Sequence, residues 1–413
     1  MTESSHRFGA EPADENIMPG MVKTLWGAAL GYAVDGFDLL ILSFMLRAIS
    51  AELHLSPDQA ASLVTATLVG AVAGGLIFGM LSDRFGRVRV LTWTIVLFAA
   101  FTGLCAVAQS YWDLLAYRTI AGLGLGGEFG IGMALVAEVS PASERARASC
   151  YVGLGWQLGA LGATTVTPIL LPVIGWRGMF LFGIFPAVVA YFIRRALHEP
   201  RLFLQSAKYE TRLGLPLRLL VHDRHSLKVS LGLAILCAVQ NFGYYGVMIW
   251  LPSYLSARFG YGLTQSAAWT AITIAGMSVG IFTFGHLADH LGRRPTFLVY
   301  MLGAAIMVVV YSRLTDPTAL LLLGAVMGFF VNGMLGGYGA LMSELYQTQI
   351  RATAQNVLFN VGRAVGGFGP VAVGWLAQFY GFETAIALLA VLYLIDVVAL
   401  WLFIPERRGM ELM

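Results

Sequence analysis

Long apolar stretches, separated by short polar connections, run through almost the whole chain. We predict twelve membrane-spanning helices, because each stretch has the roughly 20 residues that a helix needs to cross about 30 Å of hydrocarbon. The stretches are residues 21–47, 59–81, 88–109, 112–139, 148–173, 177–197, 229–257, 265–288, 295–313, 318–343, 352–379 and 383–404. The first contains polar residues and is long enough to span, so we expect a retained helix, not a cleaved signal peptide.

The only long connection divides the chain into two halves with six predicted spans each. This linker, residues 198–228, is polar and basic. The pattern therefore predicts an all-α membrane protein in five parts. They are an N-terminal tail (1–20), a first half (21–197), the linker, a second half (229–404) and a C-terminal tail (405–413).

The composition supports a polytopic membrane protein, with 58% hydrophobic and 12% charged residues. A soluble protein carries about twice that charged share. The net charge is only +3 and the basic residues flank predicted spans, so the lipid bilayer and not nucleic acid is the predicted partner. Cys105, Cys150 and Cys237 stand singly in apolar segments, which favours buried thiols. No metal-ligand spacing and no Ser/His/Asp arrangement stands out in the spans, so we predict no enzyme activity, no metal and no cofactor.

The distribution of Lys and Arg predicts the orientation. If the N-terminus is inside the cell, the cytoplasmic segments carry 20 of the 26 basic residues and the outside segments carry four. Cytoplasmic loops are enriched in Lys and Arg, so both termini and the linker are predicted to be cytoplasmic, in the plasma (inner) membrane. The two remaining basic residues, Arg118 and Arg363, lie inside predicted spans.

The two halves are sequence repeats of each other. Residues 79–87 read GMLSDRFGR and residues 285–293 read GHLADHLGR. The spacing of Glu138 and Arg145 recurs in Glu344 and Arg351, and both motifs keep the same offset of 206 residues. Two six-helix repeats of the same orientation imply a substrate site at their interface, near the middle of the membrane.

Charged residues in the repeated loops are candidates for a latch that closes the cytoplasmic side in one conformation. Asp83 and Asp289 lie in tight loops, where an aspartate can cap a helix or pair with arginine. The alternative is that these residues only form turns and set the orientation. The predicted latch residues are Asp83, Arg84, Arg87, Glu138, Arg145, Asp289, Arg293, Glu344 and Arg351.

Carboxylates inside the spans are candidates for a coupled proton. Asp35 and Asp38 share one face of the first predicted helix, and Glu128 lies near the middle of the fourth, ten residues after Arg118. A charge in lipid costs about 2.5 to 3.5 kcal/mol on insertion scales, so these groups should face a protected interior or a wet cavity. An internal ion pair between helices is the alternative for Arg118 and Glu128. None of the seven histidines falls mid-span, which disfavours a histidine relay.

Arg363 is the candidate for binding an anion. It lies about twelve residues from Arg351, hence near the middle of the membrane. Arginine stays charged, so it needs either a permanent partner, such as Asp396, or a visiting anion. Asn241 stands 206 residues after Asp35. The predicted substrate-binding residues are Arg363, Arg118, Asn241, Tyr244, Tyr245, Gln157, Asn332 and Asn360.

These motifs together resemble the major facilitator superfamily, from about residue 21 to residue 405. The loops at 79–87 and 285–293 look like its signature loops. The sequence DGFD at residues 35–38 resembles the first-helix motif of the aromatic acid:proton and sialate:proton symporter families. GGEFG at residues 126–130 is closer to the sialate and metabolite:proton symporters, and FGYYGVMIWLP at residues 242–252 is similar to niacin-type carriers.

The resemblance implies a secondary transporter with the major facilitator fold that alternates access by rocking its halves. We predict a monomeric proton-coupled symporter of a small organic anion, such as a monocarboxylate, a sialate or an aromatic acid. An inside-negative membrane opposes entry of one negative charge by about 2.3 kcal/mol per 100 mV, and one accompanying proton cancels that opposition. A niacin or sugar carrier, an exporter of the same fold and a non-transporting membrane sensor are the alternatives.

Overall fold

The computed structural model describes residues 17–208, 216–248, 251, 259–260 and 263–412, and nearly all of them are helical. The helices are α1 (Ile17–Leu53), α2 (Pro57–Phe85), α3 (Arg87–Cys105), α4 (Tyr111–Val139), α5 (Arg145–Arg195), α6 (Arg201–Lys208), α7 (Pro216–Leu219), α8 (Arg224–Met248), α9 (Leu263–Leu291), α10 (Arg293–Arg313), α11 (Pro317–Gly333), α12 (Gly337–Leu345), α13 (Arg351–Gly366), α14 (Gly369–Tyr380) and α15 (Phe382–Phe403). Most of the predicted N-terminal tail, part of the linker and the end of the seventh predicted span lie outside the described residues.

The described helices are long and apolar enough for twelve crossings of a membrane, as the apolar pattern predicts. Eleven helical segments are long and apolar enough to span. One of them, α5, has 51 residues, which would be about 77 Å of straight helix, more than twice the hydrocarbon thickness. Its backbone leaves the helical conformation at Gly175, where φ is +66°, a value that glycine adopts without strain. Therefore α5 contains two spans, and the all-α fold is confirmed.

Short polar sequences start and link the spans. Ser56 and Gln59 form a reciprocal capping box at the start of α2, and Ser110 and Asp113 do the same for α4. Apolar side chains such as Trp401 are largely exposed on the outer surface of the bundle. An exposed apolar surface is what a lipid environment requires, so the multi-pass membrane assignment follows from the fold.

The two halves meet through equivalent helices of each repeat. In one contact, α2 and α4 pack on α13; in the other, α5 packs on α9 and α12. Close approach is possible because glycine lies at the contact points: a Cβ added to Gly130 would collide with Asn356 of the other half, and one added to Gly336 would collide with Cys150. These two contacts enclose the region where the sequence places its intramembrane charges.

Candidate functional site

A small cavity, with room for about one water molecule, lies between the two halves. The first half contributes Tyr32 and Trp156, and the second half contributes most of the wall. The lining residues are Tyr32, Trp156, Gln240, Asn241, Tyr244, Tyr245, Asn332, Leu335, Phe359 and Arg363. The cavity is therefore mainly aromatic and amide in character, with one cationic side chain among these residues.

Arg363 is that cation, and it has no ion-pair partner among the described residues. It is 3% exposed, and its Nε atom has no hydrogen-bond acceptor in the described part of the chain. The guanidinium carbon lies 5.6 Å from the Trp156 ring centre and 5.3 Å from that of Phe359. Cation–π contacts stabilise the charge modestly, so Arg363 keeps unused capacity to bind an anion.

The aromatic side chains form a connected wall around Arg363. Tyr32 packs against Trp156 and against Phe129, with 5.3 Å between ring centres in both pairs. Phe129 of α4 stacks on Phe359 of α13, with ring centres 3.6 Å apart and an interplanar angle of 16°. This stack joins the two halves beside the cavity, so a rocking motion of the halves must separate the two rings.

Asp38 is fully engaged in a buried ion pair with Arg118. The guanidinium binds both carboxylate oxygens, with Nη1–Oδ1 at 3.0 Å and Nη2–Oδ2 at 2.5 Å. Arg118 also donates from Nε to the Thr67 hydroxyl at 3.2 Å. The exposed fraction is 1% for Asp38 and 0% for Arg118. The pair links α1 to α4 within the first half, and Arg118 does not line the cavity.

Glu128 is engaged in a second buried pair, with Arg194. Arg194 binds both carboxylate oxygens, with Nη1–Oε1 at 3.0 Å and Nη2–Oε2 at 2.5 Å. The Thr94 hydroxyl donates to the same carboxylate at 2.7 Å, and Arg194 donates further to the backbone oxygens of Gly27 and Leu91. Arg194 is one of the 20 basic residues that the sequence assigns to cytoplasmic segments, but its side chain is completely buried.

Asp35 differs from the other two carboxylates because it has no arginine of its own. It is 0% exposed, and neither of its oxygens has a hydrogen-bond partner among the described residues. It interacts electrostatically with Glu128, with Arg363 and with Arg194. A buried ionised carboxylate without hydrogen bonds is expensive, and Asp35 is the one of the three that lacks them among the described residues.

The repeated loops meet at one end of the bundle, which we call the latch end and define by Asp83 and Asp289. Asp83 accepts hydrogen bonds from three groups at the start of α13: the backbone N–H of Ala352 (3.2 Å) and of Thr353 (2.7 Å), and the Thr353 hydroxyl (2.5 Å). Asp289 accepts from the backbone N–H of Ala146 and Arg147 at the start of α5, at 3.1 and 3.0 Å. Each aspartate thus caps a helix of the opposite half, where the helix dipole also favours a negative charge.

Buried ion pairs reinforce the first of these caps. Arg87 pairs with Asp83 at 2.7 Å and with Glu138 at 3.2 Å. Glu138 in turn pairs with Arg351 of the other half at 2.8 Å.

The second cap has the equivalent set of pairs. Arg293 pairs with Asp289 at 3.0 Å and with Glu344 at 2.7 Å, and Glu344 pairs with Arg145 of the first half at 3.1 Å. The glutamate and arginine that are seven residues apart in each half therefore bind across the halves and not to each other.

The family model described as Major Facilitator Superfamily matches residues 28–282 and 255–411. The chain belongs to the major facilitator superfamily. It is a transporter rather than an enzyme, because its relatives over nearly the full length are transporters.

Three relatives and one solved structure illustrate where this major facilitator protein stands. It is 63% identical to a putative metabolite transport protein of Haemophilus influenzae over 94% of this chain and 97% of the relative. It is 34% identical to a probable 4-methylmuconolactone transporter of Cupriavidus pinatubonensis (95% and 92% covered) and 26% identical to the sialic acid transporter NanX of Escherichia coli (92% and 93%). The proton:xylose symporter XylE superposes with a TM-score of 0.81 at 20% identity, over 96% of this chain and 98% of that structure. The resemblance to the superfamily and its organic acid carriers is thus confirmed, and the likeness to XylE shows the fold.

Some predicted binding residues of this transporter line the cavity and others do not. Asn241, Tyr244, Tyr245, Asn332 and Arg363 do. The predicted residues that the structure places elsewhere are Arg118, Gln157 and Asn360.

Asn360 bridges the halves outside the cavity lining. Its Nδ2 atom donates to the Gly126 carbonyl at 3.0 Å and to the Asn356 carbonyl at 2.9 Å. Gln157 is buried, and its amide has no partner among the described residues. Asp396 does not form an ion pair with Arg363. It interacts electrostatically with Tyr338 and Tyr393.

Residues that the sequence reading missed complete the site. Tyr32 lies three residues before Asp35, and Trp156 stands beside the predicted Gln157, so both are close in sequence to residues that were predicted. Arg194 had no distinguishing signal, because a basic residue at the end of a span is typical of an orientation signal. Among the predicted latch residues, Arg84 is exposed, and its guanidinium carbon lies 5.4 Å from the centre of the Phe85 ring. Arg84 belongs to neither of the two ion-pair networks at the latch end.

Proposed function

We propose that this transporter is a proton-coupled symporter of a small organic anion, which it carries by alternating access. The observation that carries the proposal is the state of Arg363: buried, cationic, lining the cavity between the halves and without an ion-pair partner among the described residues. A buried arginine is normally matched by an anion. The substrate is the anion that completes this site.

A carboxylate is the group that fits Arg363 best. The guanidinium offers a planar fork that binds both oxygens of a carboxylate with charge-assisted hydrogen bonds. Tyr32 and Tyr245 stand close enough to interact electrostatically with the same guanidinium. The relatives named for 4-methylmuconolactone and for sialic acid are in line with an organic acid as substrate.

Asp35 is the proposed site of the coupled proton. Asp38 and Glu128 are each held by an arginine in a bidentate pair. Asp35 lacks such a partner in the described part of the chain. When protonated, it no longer repels an anion approaching Arg363. Binding of the proton thus favours binding of the substrate, and one proton offsets the electrical cost of moving one negative charge inward.

Alternating access is proposed to operate through the latch end. The described structure has both caps closed, with Asp83 bound to α13 and Asp289 bound to α5. Opening the latch end requires breaking both caps and separating the stack of Phe129 on Phe359. The excess of basic residues on this side supports a cytoplasmic latch end in the plasma (inner) membrane, and the complete cavity within one chain supports a functional monomer.

The test is uptake into proteoliposomes that contain the purified transporter. Labelled carboxylates, including an aromatic, a lactone-derived and a sialic acid, are offered outside under an acidic-outside pH gradient. At least one is expected to accumulate above its outside concentration, and a protonophore should collapse the accumulation. Accumulation that is unaffected by the pH gradient and the protonophore would contradict proton coupling, and a preference for uncharged sugars over every acid would contradict the anion.

A further inference from the structure

Two amide side chains meet in the wall of the cavity and leave part of their hydrogen-bonding capacity unused. Gln240 on α8 and Asn332 on α11 are each 1% exposed and line the cavity with Arg363. Gln240 Nε2 donates to Asn332 Oδ1 at 2.6 Å. Gln240 Oε1 and Asn332 Nδ2 have no partner among the described residues.

The unused atoms are one acceptor and one donor, whichever way the amides are oriented. Rotating both side chains by half a turn exchanges oxygen and nitrogen, and the pair still holds one internal hydrogen bond and still presents one oxygen and one N–H₂ group. Buried polar atoms without partners are destabilising. In a cavity that already holds an unmatched cation, a ligand group that both donates and accepts satisfies them.

We propose that the Gln240–Asn332 pair is a second recognition point, which binds an uncharged polar group of the substrate, such as a hydroxyl. This rests on the proposed function, in which the carboxylate of the same substrate binds Arg363. A second carboxylate is a poor match for the amide pair, because its charge would meet no cation there and the free amide oxygen cannot donate to it. Arg363 is also the one cation among the described lining residues.

The rest of the cavity lining is largely aromatic. It includes Tyr32, Trp156 and Phe359, and flat apolar surfaces of this kind pack well against a ring. The substrate class is therefore a small cyclic monocarboxylate with a neutral hydrogen-bonding group away from the carboxylate. Dicarboxylates are disfavoured, because their second charge would meet no further cation among the described lining residues.

Three benzoates of nearly equal size separate the alternatives. They are 3-hydroxybenzoate, 3-methylbenzoate and isophthalate, which place a hydroxyl, a methyl group or a second carboxylate on the same ring position. Their binding to the purified transporter is measured by isothermal titration calorimetry. We expect 3-hydroxybenzoate to bind about tenfold more tightly than 3-methylbenzoate, and isophthalate to bind more weakly than either.

A variant then assigns the preference to the amide pair. Asn332→Ala is expected to bring 3-hydroxybenzoate to the affinity of 3-methylbenzoate, whereas Arg363→Ala should weaken both acids alike. The melting temperature of each variant checks the fold. The comparison of the three acids in the unsubstituted protein needs no variant, so the proposal stays open to refutation if Asn332→Ala does not fold.

Failure of this inference differs from failure of the proposed function. Equal binding of the hydroxyl and methyl compounds, or isophthalate as the tightest ligand, overturns the role of the amide pair and leaves the carboxylate site at Arg363 in place. Retention of the hydroxyl preference in a folded Asn332→Ala variant overturns it as well. If none of the three acids binds, or if Arg363→Ala binds them as well as the unsubstituted protein does, both the proposed anion site at Arg363 and the role of the amide pair are refuted.

Discussion

Replacing Asp83 with asparagine tests whether the caps at the latch end hold the two halves together. In the closed arrangement the carboxylate accepts three hydrogen bonds from Ala352 and Thr353 of α13 and pairs with Arg87 at 2.7 Å. The amide keeps one acceptor oxygen but loses the charge. Hydrogen bonds to charged groups contribute about 1.5–3 kcal/mol and neutral ones about 0.5–1.5 kcal/mol.

The closed state should therefore lose about 1–3 kcal/mol relative to the open one, which changes their ratio by roughly 5- to 150-fold. Asp289→Asn should behave in the same way, because it caps α5 from the other repeat. Asp316→Asn is the matched control: Asp316 also caps a helix, with Ala319 N–H at 2.7 Å, but donor and acceptor belong to the same half.

Distance measurements by pulsed electron–electron spin resonance report the change directly. Spin labels are placed at Arg84 and His290, which are exposed at the latch end in opposite halves. The native cysteines Cys105, Cys150 and Cys237 are buried, so background labelling should be small. Asp83→Asn should add a population with a longer distance, and Asp316→Asn should not. An unchanged distance distribution in a folded Asp83→Asn variant would refute the latch and leave only a role in the turn.

Three further predictions follow from the site and the orientation. Arg363→Ala should lose about 1.5–3 kcal/mol of substrate-binding free energy, which is the contribution of a charged hydrogen bond. Arg363→Lys should also bind more weakly, because lysine lacks the planar guanidinium that binds both carboxylate oxygens. Unchanged affinity of both folded variants in calorimetry would show that Arg363 has only a structural role. Arg194→Met should destabilise the protein by about 3–5 kcal/mol, because it leaves Glu128 buried without its partner. Adding Glu128→Gln should recover much of the lost stability, measured by thermal unfolding. Equal melting temperatures for the unsubstituted protein, the single variant and the double variant would argue against the pair. A cysteine at His222, in the linker, should resist labelling from outside in intact cells, and ready labelling would reverse the orientation.

The fold was predictable because membrane spans depend on local composition. Each predicted span coincides with helical segments of the described residues, apart from the end of the seventh, which lies outside them. The division of α5 also coincides with a gap between two apolar stretches, where Gly175 breaks the helix. The repeat offset of 206 residues correctly paired Asp83 with Asp289 as equivalent positions. Such regularities are properties of the sequence itself and do not depend on how the helices pack.

The partners of the charges were not predictable in the same way. Asp35 and Asp38 lie three residues apart on one helix, yet Asp38 alone of the two forms an ion pair with an arginine of the described residues, because the position of Arg118 depends on how α4 packs against α1. The repeated spacing of Glu138 and Arg145 did not indicate their partners, and each pairs with a residue of the other half. Partner choice of this kind is set by distances between helices, which a single sequence does not contain.

The most direct test of the account is the transport behaviour of Asp35→Asn in proteoliposomes. An asparagine is neutral at every pH, so it resembles the protonated aspartate and cannot release a proton. The account predicts that this variant no longer accumulates substrate on a pH gradient but still exchanges labelled for unlabelled substrate across the membrane. Accumulation by Asp35→Asn to the level of the unsubstituted transporter, driven by the same pH gradient, would contradict the account and remove Asp35 from the coupling mechanism.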